Sequence, residues 1–225
     1  MADRLSAVAL VFVLGSIASA QSALDHVGRA ARAYKHVTSL QVESEVDRDG
    51  GSAPTLTVLL YTTLPDRARI DVKIDSQLVV SVVSNRGMVA EYQGTSGNYS
   101  RGVGRFAVSF EPERGSGLGE MTYETIGEDV KTATVRGEQT LTLGHDRMHC
   151  VIVDVEYRNA PLDRYSFWIA DNGFVLRRAV TSGSSGTIHT PVSTVKALTA
   201  NEDVPETAFE IPKVEETPPH PAILL

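Results

Sequence analysis

Alternation of apolar and polar side chains with a period of two is the feature that most restricts the fold of this chain. It is clearest from Arg67 to Asp75, where charged residues occupy every second position. The apolar positions between them are Ala68, Ile70, Val72 and Ile74. Because successive side chains of a strand point to opposite faces, the stretch predicts a strand with one buried face.

The same period predicts nine further strands. They lie at about Leu40 to Asp47, Thr55 to Thr63, Leu78 to Val83, Met88 to Gln93, Glu138 to Leu143, Cys150 to Tyr157, Tyr165 to Ala170, Phe174 to Thr181 and Ser193 to Thr199. Gly, Asn and Asp residues between them suit tight turns, so the strands should follow one another as antiparallel hairpins. A sheet of about ten strands must curl. The prediction is a mainly β fold with a few helices, in which a curved antiparallel sheet has a concave face.

Helical patterns flank or interrupt this sheet. Leu24, Val27, Ala31 and Tyr34 recur at helical spacing and predict one amphipathic helix. The glycine-rich stretch Gly94 to Gly104 is interpreted as a flexible loop. A second helix is predicted from Leu118 to about Val130, and such helices would cover the concave face of the sheet.

The first twenty residues predict export. Arg4, the apolar run from Leu5 to Ile17 and the small residues Ala18-Ser19-Ala20 fit a signal peptide that is cleaved after Ala20. An apolar run of this length is short for a membrane span, so we do not expect an integral membrane protein. The predicted organisation is a signal peptide at 1–20, one domain at 21–212 and a proline-rich tail at 213–225.

Charge and motifs argue against several function classes. A net charge of −7 disfavours nucleic-acid binding. His145 and His149 could suggest a metal site, but a solvated hairpin tip is the better interpretation, and Asp154 and Glu156 fit the wet side of a strand. The only cysteine, Cys150, fits a buried apolar position. We predict no catalytic residue, metal or cofactor, and keep a hydrolase as a third hypothesis.

Apolar side chains remain as the candidates for binding. Phe106, Val108, Phe110, Met121 and Ile126, in the irregular middle of the chain, could plug the concave face of the sheet. They are either ordinary core or the wall of a pocket for an acyl chain. Further residues expected to line the pocket are Ile70, Val72, Val80, Tyr92 and Trp168.

Several short motifs in the second half of the chain occur together in one known family. They are Arg136-Gly137-Glu138, Cys150-Val151-Ile152, Trp168-Ile169-Ala170-Asp171, Leu176-Arg177-Arg178, Val204-Pro205 and Phe209-Glu210-Ile211-Pro212. With an opening helix and the Leu64-Pro65 step before Arg67, the chain resembles the LolA-like family of outer-membrane lipoprotein carriers.

That resemblance implies an eleven-stranded incomplete barrel with helices over a hydrophobic cavity, located in the periplasm. It implies a lipid or a lipidated protein as ligand, with lipoprotein sorting as one role. The family has an arginine before the proline of the Leu-Pro step, where this chain has Leu64, which puts lipoprotein transfer in doubt. The alternative is an envelope sensor or scaffold that binds a protein partner through the same fold.

Overall fold

A single antiparallel sheet forms the protein. The computed structural model describes residues 21–48, 54–63, 66–94, 96–104, 108, 110–111, 122–182 and 191–210. In this part of the chain eleven strands join in the order β6-β5-β4-β3-β2-β1-β11-β10-β9-β8-β7. Strands that follow one another in sequence are neighbours in the sheet, with the exception of β6 and β7, which form its two edges. The first and last strands, β1 and β11, pair with each other in the middle of the sheet. The sheet is open, as predicted.

The strand bounds are as follows: β1 Ser39–Asp47, β2 Leu56–Thr63, β3 Arg67–Ile74, β4 Gln77–Asn85, β5 Met88–Gln93, β6 Asn98–Val103, β7 Val130–Leu143, β8 Asp146–Tyr157, β9 Asp163–Ala170, β10 Val175–Ser182 and β11 Val192–Ala200. Each of the ten predicted strands is confirmed. The prediction of a flexible loop from Gly94 to Gly104 is wrong, because β6 occupies most of that stretch and pairs with β5.

Residues 21–35 form a helix, α1, as predicted. Its buried face carries Ala23, Val27, Ala30 and Tyr34, whereas Leu24 is 44% exposed. Tyr34 packs edge-on against Phe174, directly before β10. We define the inner face of the sheet as the one with Phe167 of β9, which belongs to the same core cluster as these helix residues.

The helix predicted from Leu118 to about Val130 is wrong over the part that the structure describes. Residues 124–129 are turns, and Val130 already belongs to β7. The hydroxyl of Thr125 donates a 2.6 Å hydrogen bond to the carbonyl oxygen of Phe110, and Asp129 has a φ of 53°. A side-chain hydroxyl that bonds to distant backbone and a left-handed residue both compete with a helix.

The C-terminal segment 201–210 packs on the outer face of β3 and β4. The short 3-10 helix Glu206–Phe209 buries Phe209 completely, and Arg67 lies over its ring at 5.1 Å. Arg69 and Asn85 donate hydrogen bonds to the carbonyl oxygens of Ala208 and Phe209. The Val-Pro and Phe motif found in the sequence therefore ties the end of the domain to the sheet.

Several predictions fall outside the described residues. These are the signal peptide at 1–20, the tail at 213–225 and the Leu64-Pro65 step. Within the described part, no helix combines the length and the apolar character needed to cross a membrane.

Candidate functional site

The plug segment is our name for residues 108, 110–111 and 122–129, which connect the edge strands and lie over the inner face. Two backbone hydrogen bonds join its halves: Phe110 N donates to Thr122 O at 2.8 Å, and Thr122 N donates to Val108 O at 2.7 Å. Val108, Phe110 and Ile126 are buried, at 8%, 2% and 0% exposure. All three residues belong to the buried core cluster.

Phe110 is the centre of an aromatic cluster. Its ring centroid lies 5.4 to 5.6 Å from those of Tyr123, Tyr157, Tyr165 and Phe167. Tyr123 in turn contacts Tyr34 of α1 at 5.3 Å. Edge-on and tilted ring pairs at such distances are favourable contacts. The plug segment therefore joins the helix to the β8–β9 end of the sheet through side chains.

The C-terminal end of the plug segment carries its attachment to β8. The hydroxyl of Tyr157 donates a 2.8 Å hydrogen bond to Ile126 O, and Arg158 N donates to Asp129 O at 2.9 Å. Burial raises the pKa of the Tyr157 phenol well above its usual value, so this donor keeps its proton. Asp129, with positive φ, is the last residue before β7.

The other end of the inner face is less covered. Val80 pairs with Val72 and Val82 pairs with Ile70, so all four side chains share the inner face. Ile70 is buried, whereas Val72, Val80 and Val82 are half-buried. These four residues form the candidate ligand site. Val82 was not predicted, although its period-two relation to Val80 was available in the sequence.

Polar residues border the candidate ligand site. On β5, Glu91 pairs with Val82 and Gln93 pairs with Val80. Both therefore point to the inner face, at the edge of the apolar surface. An apolar wall with a polar rim suits an amphiphile whose head group stays near water.

The centre of the inner face contains one polar atom without a partner. Ser44 lies in β1 beside Val58 of β2 and Val195 of β11, and its side chain is fully buried. Its hydroxyl finds no hydrogen-bond partner among the described residues. Burial of an unpaired hydroxyl costs free energy.

The remaining predicted pocket residues lie elsewhere. Tyr92 pairs with Ser81, and Trp168 pairs with Ile152 and Arg177, so both side chains are on the outer face. The candidate ligand site does not include them. Phe106 and Met121 lie outside the described residues.

His149 bridges two carboxylates at one end of the sheet. Its Nδ1 lies 3.2 Å from Asp171 Oδ1, and its Nε2 lies 3.2 Å from Glu138 Oε2. Hydrogen bonds to Asp171 and then to Glu138 raise the pKa of this exposed imidazole. His26 and Arg29 of α1 lie close by and contact each other at 2.9 Å. Among the described residues, no group of three His, Cys, Asp or Glu side chains could hold a metal ion.

The other candidate chemical groups have structural partners. Asp154 accepts a 2.6 Å hydrogen bond from Ser166, and Glu156 forms ion pairs with Lys131 and Arg164. Cys150 is fully buried, and burial raises the pKa of its thiol to about 11.

Solved structures share this fold. No family model matches the sequence, and no curated protein does. The fold is similar to that of MucB, with 14% identity and a TM-score of 0.53 over 86% of this chain, which spans 64% of the MucB chain. It is also similar to Mycobacterium tuberculosis lipoprotein LppX, with 13% identity and a TM-score of 0.51 over 82% of this chain and 98% of that one.

LprF from Mycobacterium bovis gives 13% identity and a TM-score of 0.50 over 82% of this chain and 95% of that one. A LolA superfamily protein from Nitrosomonas europaea matches as well, with 11% identity and a TM-score of 0.40. As a likeness of fold, the predicted resemblance to LolA-like proteins is confirmed.

Proposed function

We propose that this chain is an exported, non-enzymatic carrier that binds an acyl chain or a similar apolar ligand on the inner face of its open sheet. The observation that carries this proposal is the plug segment: together with α1, side chains from the connection between the two edge strands fill the interior. A filling of this kind can be displaced without breaking the ladder of the sheet.

The candidate ligand site is lined by apolar side chains that suit an acyl chain. Ile70, Val72, Val80 and Val82 present branched aliphatic side chains, and three of them are only half-buried in the closed protein. Burial of a methylene contributes about 0.8 kcal/mol. A micromolar complex requires about 8 kcal/mol. An acyl chain that buries about ten methylenes matches this value before the entropy loss of association is subtracted.

The plug segment has the contacts of a movable part. The described contacts that hold it to the β8–β9 end of the sheet are ring contacts of Phe110 and Tyr123 and two hydrogen bonds, from the Tyr157 hydroxyl to Ile126 O and from Arg158 N to Asp129 O. Its backbone hydrogen bonds between Phe110, Thr122 and Val108 are internal, so they do not tie the segment to the strands of the sheet. In the proposed mechanism the segment moves away from the sheet, and the acyl chain extends from the candidate ligand site onto the apolar surface that Phe110 had covered.

A reversible cross-link tests this movement. A Cβ atom built at Gly127 lies 3.8 Å from Cγ1 of Val27 in α1, within reach of a disulfide after the side chain of Val27 is replaced. The variant V27C/G127C, when oxidised, would fix the plug segment to the helix. The buried thiol of Cys150, with its pKa raised to about 11, should not compete in the oxidation.

Uptake of a fluorescent hexadecanoic-acid analogue is then measured with and without dithiothreitol. We expect the oxidised variant to bind the analogue at least tenfold more weakly than the reduced one. The single variant G127C should bind it equally well with and without dithiothreitol. Native mass spectrometry of the wild-type protein purified from cells should show co-purifying lipid. A lipid-free mass together with equal binding by the oxidised and reduced variants would instead favour the sensor or scaffold hypothesis.

A further inference from the structure

The outer face carries a second group of residues that the inner-face site does not use. Trp168, in the middle of β9, is flanked by two arginines. The guanidinium carbon of Arg177 lies 4.9 Å from the centre of the indole ring, and that of Arg136 lies 5.3 Å from it. The two distances set an upper limit of about 10 Å between the guanidinium carbons.

Irregularities in the strand ladders determine where the side chains of both arginines lie. The ladder between β9 and β10 shifts between Val175 and Arg177, and the ladder between β7 and β8 shifts between Val135 and Gly137, which leaves Arg136 at the bulge. Bulges re-aim side chains and frequently occur next to binding sites. The indole is fixed as well, since Trp168 Nε1 donates a 2.7 Å hydrogen bond to Gln139 Oε1.

The charge of this group is only partly balanced. Arg136 has one acidic neighbour, Asp154, at 3.7 Å, and that carboxylate already accepts the hydroxyl of Ser166. Within the described part of the chain Arg177 forms no ion pair, and its Nε is buried without a hydrogen-bond partner. Two other cations on this face, Arg164 and Lys131, both pair with Glu156.

We propose that Arg136, Trp168 and Arg177 form a docking site for an acidic segment of a partner protein, in which an Asp or Glu carboxylate bridges the two guanidinium groups. An arginine that stacks on an aromatic ring keeps the edge of its guanidinium free, and this planar edge matches a carboxylate in a paired hydrogen bond. Tryptophan and arginine are also the residue types that contribute most to protein interfaces.

The observations favour an acidic peptide over other anionic partners. An anionic membrane and a nucleic acid both need a broad basic surface, which two arginines on a chain with a net charge of −7 do not supply. Two arginines within about 10 Å suit one or two carboxylates presented by an extended segment. The site lies on the opposite face from the candidate ligand site, so it is independent of the proposed carrier function.

The protein contains its own reporter for this site, because Trp168 is the only tryptophan of the chain. The experiment is a titration of Trp168 fluorescence in the wild-type protein with a decapeptide of glutamate, and with a glycine-serine decapeptide as control. We expect a saturable change with the acidic peptide only, and binding that weakens as salt is added, because salt screens an exposed charge pair.

Matched variants separate this site from general electrostatics. R177Q and R136Q should each weaken binding of the glutamate peptide by at least tenfold, while R177K should retain part of it. R164Q removes a cation of the same face that is paired with Glu156, and it should leave the affinity within twofold. A thermal unfolding curve of each variant verifies that the fold persists.

Three results would overturn the proposal: no binding of the acidic peptide by fluorescence or calorimetry, equal binding by wild type and R177Q, or equal loss in R164Q and R177Q. Inorganic phosphate and vesicles with 30% anionic lipid are run beside the peptide. If either binds through the two arginines while the peptide does not, the site is one for phosphate groups and the assignment to a protein partner is wrong.

Discussion

Replacement of Phe110 by alanine is the most direct test of the plug segment as a separable unit. The side chain is 2% exposed, and four aromatic rings surround it at 5.4 to 5.6 Å. A Phe-to-Ala change in a packed core costs about 3–5 kcal/mol, and a site with four ring contacts belongs at the upper end of this range. The closed state should therefore lose about 4–5 kcal/mol.

The sheet itself should lose less than that. If the plug segment can leave the sheet at a cost of about 2 kcal/mol, a mutation that destabilises only the closed state shifts the protein to the open state. Beyond that point the free energy of global unfolding is measured from the open state, which Phe110 does not stabilise. The loss of global stability is then limited to about 2 kcal/mol.

Urea unfolding followed by Trp168 fluorescence measures the stability of the sheet, because this side chain lies in β9 on the outer face. Hydrogen exchange at Thr122 and Ile126 N–H groups, which donate to Val108 O and Tyr123 O, measures the plug segment. F110A should lower the stability of the sheet against urea only slightly. It should remove most of the protection of the plug segment against hydrogen exchange.

The matched control is F167A, since Phe167 is fully buried in the same cluster but belongs to β9 itself. F167A should lower the stability of the sheet by about 3–5 kcal/mol. If F110A also lowers the stability of the sheet by that amount, and exchange in the plug segment rises no more than exchange in the strands, the plug segment is permanent core. The carrier mechanism would then be refuted.

Four further changes have expected outcomes. S44A removes an unpaired buried hydroxyl and should raise the free energy of unfolding by up to about 1 kcal/mol in a urea titration. Y157F leaves Ile126 O without its hydrogen-bond donor and should lower the free energy of unfolding by about 1–3 kcal/mol. Cys150 should resist a thiol reagent at pH 8 until urea unfolds the protein, because its pKa is about 11. The pKa of His149 is raised in the folded state, so protonated His149 stabilises the fold fully at a pH below its unfolded-state pKa. This stabilisation is lost as the pH rises through the folded-state pKa. H149A should therefore lower the melting temperature more at pH 6 than at pH 9.

The sequence predicts the paired strands well and the edge strands poorly, for one physical reason. A strand with a buried face shows alternation because its inner side chains must be apolar, as Ile70 and Leu60 are. The edge strand β6 is almost entirely exposed, whereas the prediction of β7 begins only at Glu138, after the bulge between Val135 and Gly137 that interrupts its alternation. Side chains that face solvent on both sides are not selected for alternation, so periodicity cannot reveal such strands.

The candidate site was predictable in composition but not in orientation. Val108, Phe110 and Ile126 are apolar residues in an irregular stretch, and this alone suggested that they fill the interior. Trp168 is equally apolar but lies on the outer face, because the register with Ile152 decides its direction. Assignment of a side chain to a face requires the strand register, which one sequence does not contain when bulges shift it.

One strand, β9, lies between the plug segment and the proposed docking site. Phe167 and Trp168 are adjacent in β9 and point to opposite faces, so Phe167 contacts the plug segment and Trp168 contacts the arginines. Displacement of the plug segment removes two ring contacts from Phe167, those with Phe110 and Tyr123, and leaves the contacts of Trp168 with the two arginines in place. The backbone of β9 is held by β8 and β10 on its two sides, and these ladders do not involve the plug segment. An acyl ligand and an acidic peptide should therefore bind at the same time without competition, because neither one has to move the strand between them.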